Sequence, residues 1–149
     1  MTRRFLTLFS VAALAGCGAT KSDYSGAYVG GDETALMQLH IVEGDGGQIS
    51  GNLAVSQLDY AAGQVKLTTR PITGVRNGDQ FSLLAKATQW GAPDSPLSLE
   101  ANGGSLELLL PGTGQTLEMQ RMGQAEYRGR LTEFAQALNA NDVGLLPED

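Results

Sequence analysis

The sequence predicts an all-β domain, an eight-stranded antiparallel meander β-barrel with a C-terminal α-helix. Twenty of its 149 residues are glycine, and turn pairs such as Asn77-Gly78 and Gly103-Gly104 recur at short intervals. Because glycine accepts the positive φ angles of tight hairpins but weakens helices, this distribution favours consecutive strands. Apolar and polar residues alternate between the turns, which is typical of strands with one buried face. A β-sandwich is the alternative fold.

Eight strands are predicted, and most neighbours are joined by short turns: 26–30, 34–43, 48–57, 64–76, 80–89, 95–101, 104–110 and 115–121. Their apolar faces carry side chains such as Leu39, Phe81 and Leu106, and in the fourth strand Val65 and Leu67. Polar side chains, including His40 and Ser56, fall on the opposite faces. Arg70-Pro71 is expected to bend or bulge the fourth strand, because proline cannot donate to the ladder. Closing the eight strands removes exposed edges.

After the last strand the apolar period changes to that of a helix. Tyr127, Leu131, Phe134 and Leu138 are four, three and four residues apart, which places them on one stripe of a helix over 124–139. Two interpretations remain open: the stripe packs on the outside or mouth of the barrel, or it docks a partner. The residues from 141 to 149 are predicted to be a loose tail.

The N-terminal segment is predicted to be a processing signal. It begins with Arg3 and Arg4, continues with an apolar run over 5–15, and ends in Leu14-Ala15-Gly16-Cys17. The run is shorter than the ~20 residues needed to cross a bilayer core. Cys17 is the only cysteine of the chain.

The four residues ending in Cys17 resemble the lipobox of bacterial lipoproteins. This resemblance implies that residues 1–16 are cleaved as a signal peptide, that the Cys17 thiol receives diacylglycerol, and that the new N-terminus is acylated, for example with palmitate. Residues 17–25 would then be the lipidated cysteine and a tether, followed by the domain at 26–140. Gly18, in place of Asp, resembles the outer-membrane address of enterobacterial lipoproteins. The implied location is the bacterial cell envelope, on the outer membrane facing the periplasm.

The ends of the predicted barrel carry a second resemblance. Gly26-Ala27-Tyr28 opens the first strand, and Arg121 ends the last strand. Arg121 is two residues after Met119, so its side chain is expected to point inward, as those of Leu117 and Met119 do. Lipocalin-like barrels of the calycin superfamily are similar: they begin with Gly-x-Trp and pack a basic residue of the last strand across that ring. Here Tyr28 replaces the tryptophan, and stacking on it would explain an inward arginine. The resemblance implies an interior that holds one small apolar ligand, although such barrels can also be filled by side chains.

One long loop contains the only tryptophan of the chain. Trp90 lies in the stretch Gln89–Pro96, which two prolines stiffen. It is interpreted either as a lid over a barrel mouth or as a contact residue for a partner. The predicted ligand-binding residues are therefore Tyr28, Trp90 and Arg121.

No motif predicts catalysis, a cofactor or a metal site. His40 is the only histidine, Cys17 is consumed by lipid, and no Gly-x-Ser-x-Gly elbow is present. The net charge of −6 disfavours nucleic acid, and it becomes more negative when Arg3 and Arg4 are removed. Two non-enzymatic functions are predicted: binding a small apolar ligand or lipid inside the barrel, or binding an envelope protein as a structural, inhibitory or exclusion factor. A hydrolase, which would need Ser and Asp converging on His40, is a third and weaker hypothesis.

Overall fold

The computed structural model describes residues 23–89 and 91–142, the last four of these by their backbone alone. Cys17 with its lipobox, Trp90 and the tail residues 143–149 lie outside the described residues. The described elements are eight strands and one helix: β1 Gly26–Gly31, β2 Ala35–Glu43, β3 Gln48–Asp59, β4 Gln64–Asn77, β5 Gln80–Ala85, β6 Ser95–Asn102, β7 Ser105–Leu109, β8 Thr116–Arg121 and α1 Gln124–Asp142. A single 3₁₀ turn over Asp45–Gly47 joins β2 to β3.

The eight strands form a closed antiparallel barrel in which each strand pairs with its neighbour in sequence. β1 and β8 close it, with Tyr28 opposite Arg121 and Val29 opposite Gln120. The prediction of an eight-stranded meander barrel with a C-terminal helix is confirmed, and the sandwich alternative is not. The largest difference in bounds is in β5, which ends at Ala85, four residues before the predicted position, because Lys86 begins the loop to β6.

Alternating side chains from all eight strands fill the interior of the barrel. Fourteen buried hydrophobic residues form one cluster there, and its members include Tyr28, Leu39, Phe81, Leu106 and Met119. The outward face of β1 and β2 is also apolar where the helix covers it. Val29 and Leu36 are therefore buried although they face away from the barrel interior.

Helix α1 packs along the outside of the barrel. Tyr127 and Phe134, from its apolar stripe, are buried against Val29, Leu36 and Met122. Leu58, Val65 and Leu131 flank this second cluster and are partly buried. The first interpretation of the stripe, that it packs on the barrel, is confirmed. None of the helices among the described residues is both long and apolar enough to cross a membrane.

The prediction of which β4 side chains face the barrel interior is wrong in the first half of the strand. Leu67 pairs with Ser56 on the outer face and is 62 % exposed, and Val65 packs beneath the helix rather than inside the barrel. The register between β3 and β4 runs without interruption through Arg70 and Pro71, so no bulge resets the alternation. Ile72, which is 1 % exposed inside the barrel, therefore sets the inward phase for the whole strand.

The two ends of the barrel are built differently. The first end, called here the entry end, contains the start of β1, the finish of β8 and the turns after β2, β4 and β6. The far end contains the turns after β1, β3 and β7 and the loop from 86 to 94. β4 extends further toward the far end than β5 does, because the pairing of the two strands begins only at Ile72 opposite Ala85.

Candidate functional site

The barrel interior, where the sequence places a ligand, is occupied by side chains. Its fourteen buried residues retain between 0 and 8 % of their accessible surface. These fourteen side chains form a packed core. Met37, Val55, Leu110 and Leu117 pack against it and are only partly buried.

The entry end is closed by aromatic and charged side chains. The rings of Tyr24 and Phe81 meet edge to face, 5.5 Å apart at an angle of 89°. The Arg76 guanidinium lies 4.8 Å from the centre of the Tyr24 ring, and its Nε is 3.4 Å from Oε1 of Glu43. The Arg76 and Glu43 side chains are only 7 % and 6 % exposed. Sequence analysis did not single out this group, because Tyr24 precedes the first strand and Arg76 reads as polar.

Hydrogen bonds tie the segment before β1 to this group. The Glu43 backbone N–H donates to Ser25 Oγ at 3.0 Å, and the Tyr24 N–H lies 3.4 Å from Oε2 of Glu43. The Tyr28 hydroxyl donates to the Tyr24 carbonyl at 3.0 Å. Residues 24 and 25 are therefore part of the domain, although the sequence assigned them to the tether.

Tyr28 and Arg121 come together as predicted. They are opposite each other across the seam of the barrel, and the guanidinium lies 6.0 Å from the centre of the ring. Burial raises the pKa of the Tyr28 hydroxyl, while the charge of Arg121 acts in the opposite direction. Arg121 itself is exposed and donates from Nη2 to the Ser25 carbonyl. Gly26 leaves room for this, because a Cβ atom there would lie 2.9 Å from Arg121 Nε.

Residues 86–89 and 91–94 of the loop after β5 lie at the far end, and Arg121 lies at the entry end. Trp90 itself is outside the described residues. Arg70 holds the loop in place: its Nε donates to the Lys86 carbonyl at 2.9 Å and its Nη2 to the Pro93 carbonyl at 3.2 Å. The Arg70 Nη1 also donates to Ser95 Oγ at 2.9 Å.

Asp94 fixes the same loop from within. Its carboxylate accepts from the Ala87 N–H at 2.8 Å and from Lys86 Nζ at 2.9 Å. These hydrogen bonds lower the pKa of Asp94, the backbone bond from Ala87 being the larger cause. The loop flanking Trp90 is thus ordered by an arginine and a carboxylate, neither of which sequence analysis selected.

The remaining candidate for chemistry, His40, lies on the outer face of β2. It is exposed and pairs with Ala27 and Asn52 of the neighbouring strands. Within residues 23–89 and 91–142, no group of three His, Cys, Asp or Glu side chains could hold a metal ion.

Part of the outer surface at the far end is apolar. Leu67 and Tyr60 are 62 % and 52 % exposed, the two highest values among the large hydrophobic side chains of the described residues. A groove of about 490 Å³ runs between Tyr60, the β1–β2 turn and the second half of the helix. Leu36 and Phe134 contribute its apolar lining, and Asp32, Glu33, Arg130 and Glu133 its charged lining.

Comparison with known proteins found no matching family model, no significantly similar curated protein and no significantly similar solved structure.

Proposed function

We propose that this protein is a non-catalytic lipoprotein of the bacterial envelope whose solid barrel binds another envelope protein through its outer surface. The observation that supports this most is the packing of the interior, where fourteen hydrophobic side chains form one cluster and are each at most 8 % exposed. Tyr60, which is 52 % exposed, borders the groove lined by Leu36 and Phe134, and an apolar groove open at the surface supports an outer contact.

The proposed anchor is Cys17, with lipid on its thiol and on the new N-terminus. Two or more acyl chains give stable attachment, which a single chain does not. The chain between Cys17 and Tyr24 spans at most about 25 Å when fully extended. Because Tyr24 belongs to the entry end, the anchor would hold that end toward the membrane. The far end, with Tyr60 and the groove beside it, would then point toward partners in the periplasm.

Metabolic labelling tests the anchor. Cells expressing the full chain are supplied with an alkyne-tagged fatty acid, and the protein is examined for the tag and for membrane association. We expect the native chain to carry the tag and Cys17→Ser to lose it, whereas Ser10→Ala, in the same segment, keeps it. A native chain without the tag, or a tagged Cys17→Ser variant, would contradict the proposal.

Native mass spectrometry tests whether the barrel carries a ligand. The anchored protein is purified from envelopes, incubated with envelope phospholipids and measured under native and denaturing conditions. The proposal predicts the same mass in both spectra, that of the polypeptide with its covalent anchor. An additional mass that disappears on denaturation would favour the alternative, a carrier of a small apolar molecule.

Photocrosslinking in cells tests the contact with a partner. A photoreactive residue at Tyr60 is compared with one at Leu109, which is 45 % exposed on β7. We expect a discrete adduct with a different protein from position 60 and none from position 109. Equal crosslinking from both positions would indicate nonspecific collision and would contradict a specific outer surface.

A further inference from the structure

The first half of β4 is a strand edge that pairs with no neighbour among the described residues. β4 begins at Gln64, but its pairing with β5 begins only at Ile72. Within the described residues, no strand lies against the segment from 64 to 70 on that side, called here the free edge. Unpaired edges in sheets are templates for another strand, and proteins usually shorten, charge or cover them.

The hydrogen bonds of β4 show which backbone N–H and C=O groups of the free edge point to its open side. The Pro71 carbonyl accepts from the Lys86 N–H at 2.8 Å, so the backbone of Pro71 faces the side of β5. Backbone N–H and C=O groups change sides with each residue in an antiparallel strand. Val65, Leu67 and Thr69 therefore present their N–H and C=O groups to the open side, while the residues between them bond to β3.

We infer that the free edge pairs with the free edge of a second copy of this chain, antiparallel and centred on Leu67. In this arrangement Leu67 lies opposite its own copy, and Val65 lies opposite Thr69 of the second copy. Each of these three positions is a hydrogen-bonded pair, so every backbone group facing outward finds a partner. The pairing is isologous and uses the same edge on both copies, so it stops at a dimer.

Charge and polarity favour a second copy as the occupant. The chain carries a net charge of −6, yet the segment from 64 to 70 contains no acidic residue, so the pairing brings no carboxylates together at the seam. Lys66, the one charged residue between Val65 and Thr69, lies opposite Thr68 rather than opposite its own copy. On the outer face the two Leu67 side chains meet, and Leu67 is the most exposed large hydrophobic residue described.

The interface is small, since one pair of short edges buries less than the ~1,200–2,000 Å² of a stable complex. The pairing is therefore weak in dilute solution and is strengthened wherever copies are concentrated, for example on one membrane surface. It does not depend on the proposed anchor or partner.

Disulfide trapping tests the pairing. The full chain is purified in mild detergent with Cys17→Ser, so that a cysteine placed at Leu67 is the only thiol. Cα atoms in a hydrogen-bonded antiparallel pair are about 5.5 Å apart, which is within the range that a disulfide spans. Leu109→Cys, also on an exposed outer strand face, is the matched control. Both proteins are oxidised over a range of concentrations, and the covalent dimer is measured on non-reducing gels.

We expect Leu67→Cys to give about tenfold more dimer than Leu109→Cys, because only position 67 lies on the two-fold axis of the pairing. Adding Thr69→Pro, which removes an N–H that faces the open side, should reduce this dimer to the control level without breaking the bonds to β3. If that variant fails to fold, Val65→Pro removes an equivalent N–H. Equal dimer at positions 67 and 109, or dimer that persists in a folded proline variant, would overturn the inference.

Discussion

Two arginines on the same face of β4 show how differently the two ends of the barrel are held. Arg76, at the entry end, is almost fully buried, stacks on Tyr24 and pairs with Glu43. Arg70, six residues earlier at the far end, is half-buried and donates to backbone carbonyls of the loop after β5. A buried charge must be matched by its partners, whereas a half-exposed one can also be solvated by water. The entry end is therefore part of the core, and the far end is a surface whose loop is held locally.

The largest expected effect is at the entry end. Arg76→Met removes the guanidinium that lies 3.4 Å from the buried Glu43 carboxylate, and we expect a loss of about 3–5 kcal/mol in the free energy of unfolding. The double variant Arg76→Met with Glu43→Leu removes both charges and should recover most of this loss. Urea unfolding of the wild type, the two single variants Arg76→Met and Glu43→Leu, and the double variant measures it. A single variant as stable as the wild type would show that the two ends do not differ in this way.

A smaller and more local effect is expected at the far end. Arg70→Lys keeps the charge but cannot reproduce the planar set of donors that reaches Lys86, Pro93 and Ser95. We expect a loss of about 1–2 kcal/mol in the free energy of unfolding. Amide hydrogen exchange should be faster in the loop from 86 to 94 and unchanged in β1 and β2. Faster exchange spread over the whole barrel would contradict a local role for Arg70.

The smallest effect is a dependence of this loop on pH. Because the folded state lowers the pKa of Asp94, its ionised form stabilises the loop above the usual Asp pKa, and this contribution is lost as the pH falls through the lowered value. Protection of the Ala87 amide should therefore decrease in acid. Asp94→Asn should have low protection of Ala87 at neutral pH and little further change on acidification. The same acid-dependent loss in wild type and Asp94→Asn would show that another group is responsible.

The alternation of apolar residues predicted the barrel, because seven of the strands keep one phase from end to end. It failed in β4, where Val65 and Leu67 continue the pattern on the wrong face. Val65 is apolar because the helix packs over it on the outside of the barrel. Alternation along a strand cannot distinguish this outward burial from burial inside the barrel. Ser56 shows the same limit in reverse: it is polar and on the outer face, yet it is 1 % exposed.

The candidate site could be predicted only in part, because its residues are joined by tertiary contacts. The pairing of Tyr28 with Arg121 followed from strand parity and from the first and last positions of the barrel. The contact of Tyr24 with Arg76 did not, since it joins a segment before the first strand to the end of β4. In a meander, successive strands run in opposite directions, so odd-numbered strands end at the far end and even-numbered strands end at the entry end. Counting strands therefore places Arg121, at the end of β8, and the loop after β5 at opposite ends of the barrel.

The packing of the barrel interior is tested most directly by enlarging one side chain within it. Leu106 is 0 % exposed, and Leu109, on the opposite face of the same strand, is 45 % exposed. In a filled interior, Leu106→Phe should lower the free energy of unfolding by about 1–3 kcal/mol. Leu109→Phe should change it by less than about 0.5 kcal/mol. If Leu106→Phe is instead neutral or stabilising, the interior contains space for the added ring, and a solid barrel that acts through its outer surface is contradicted.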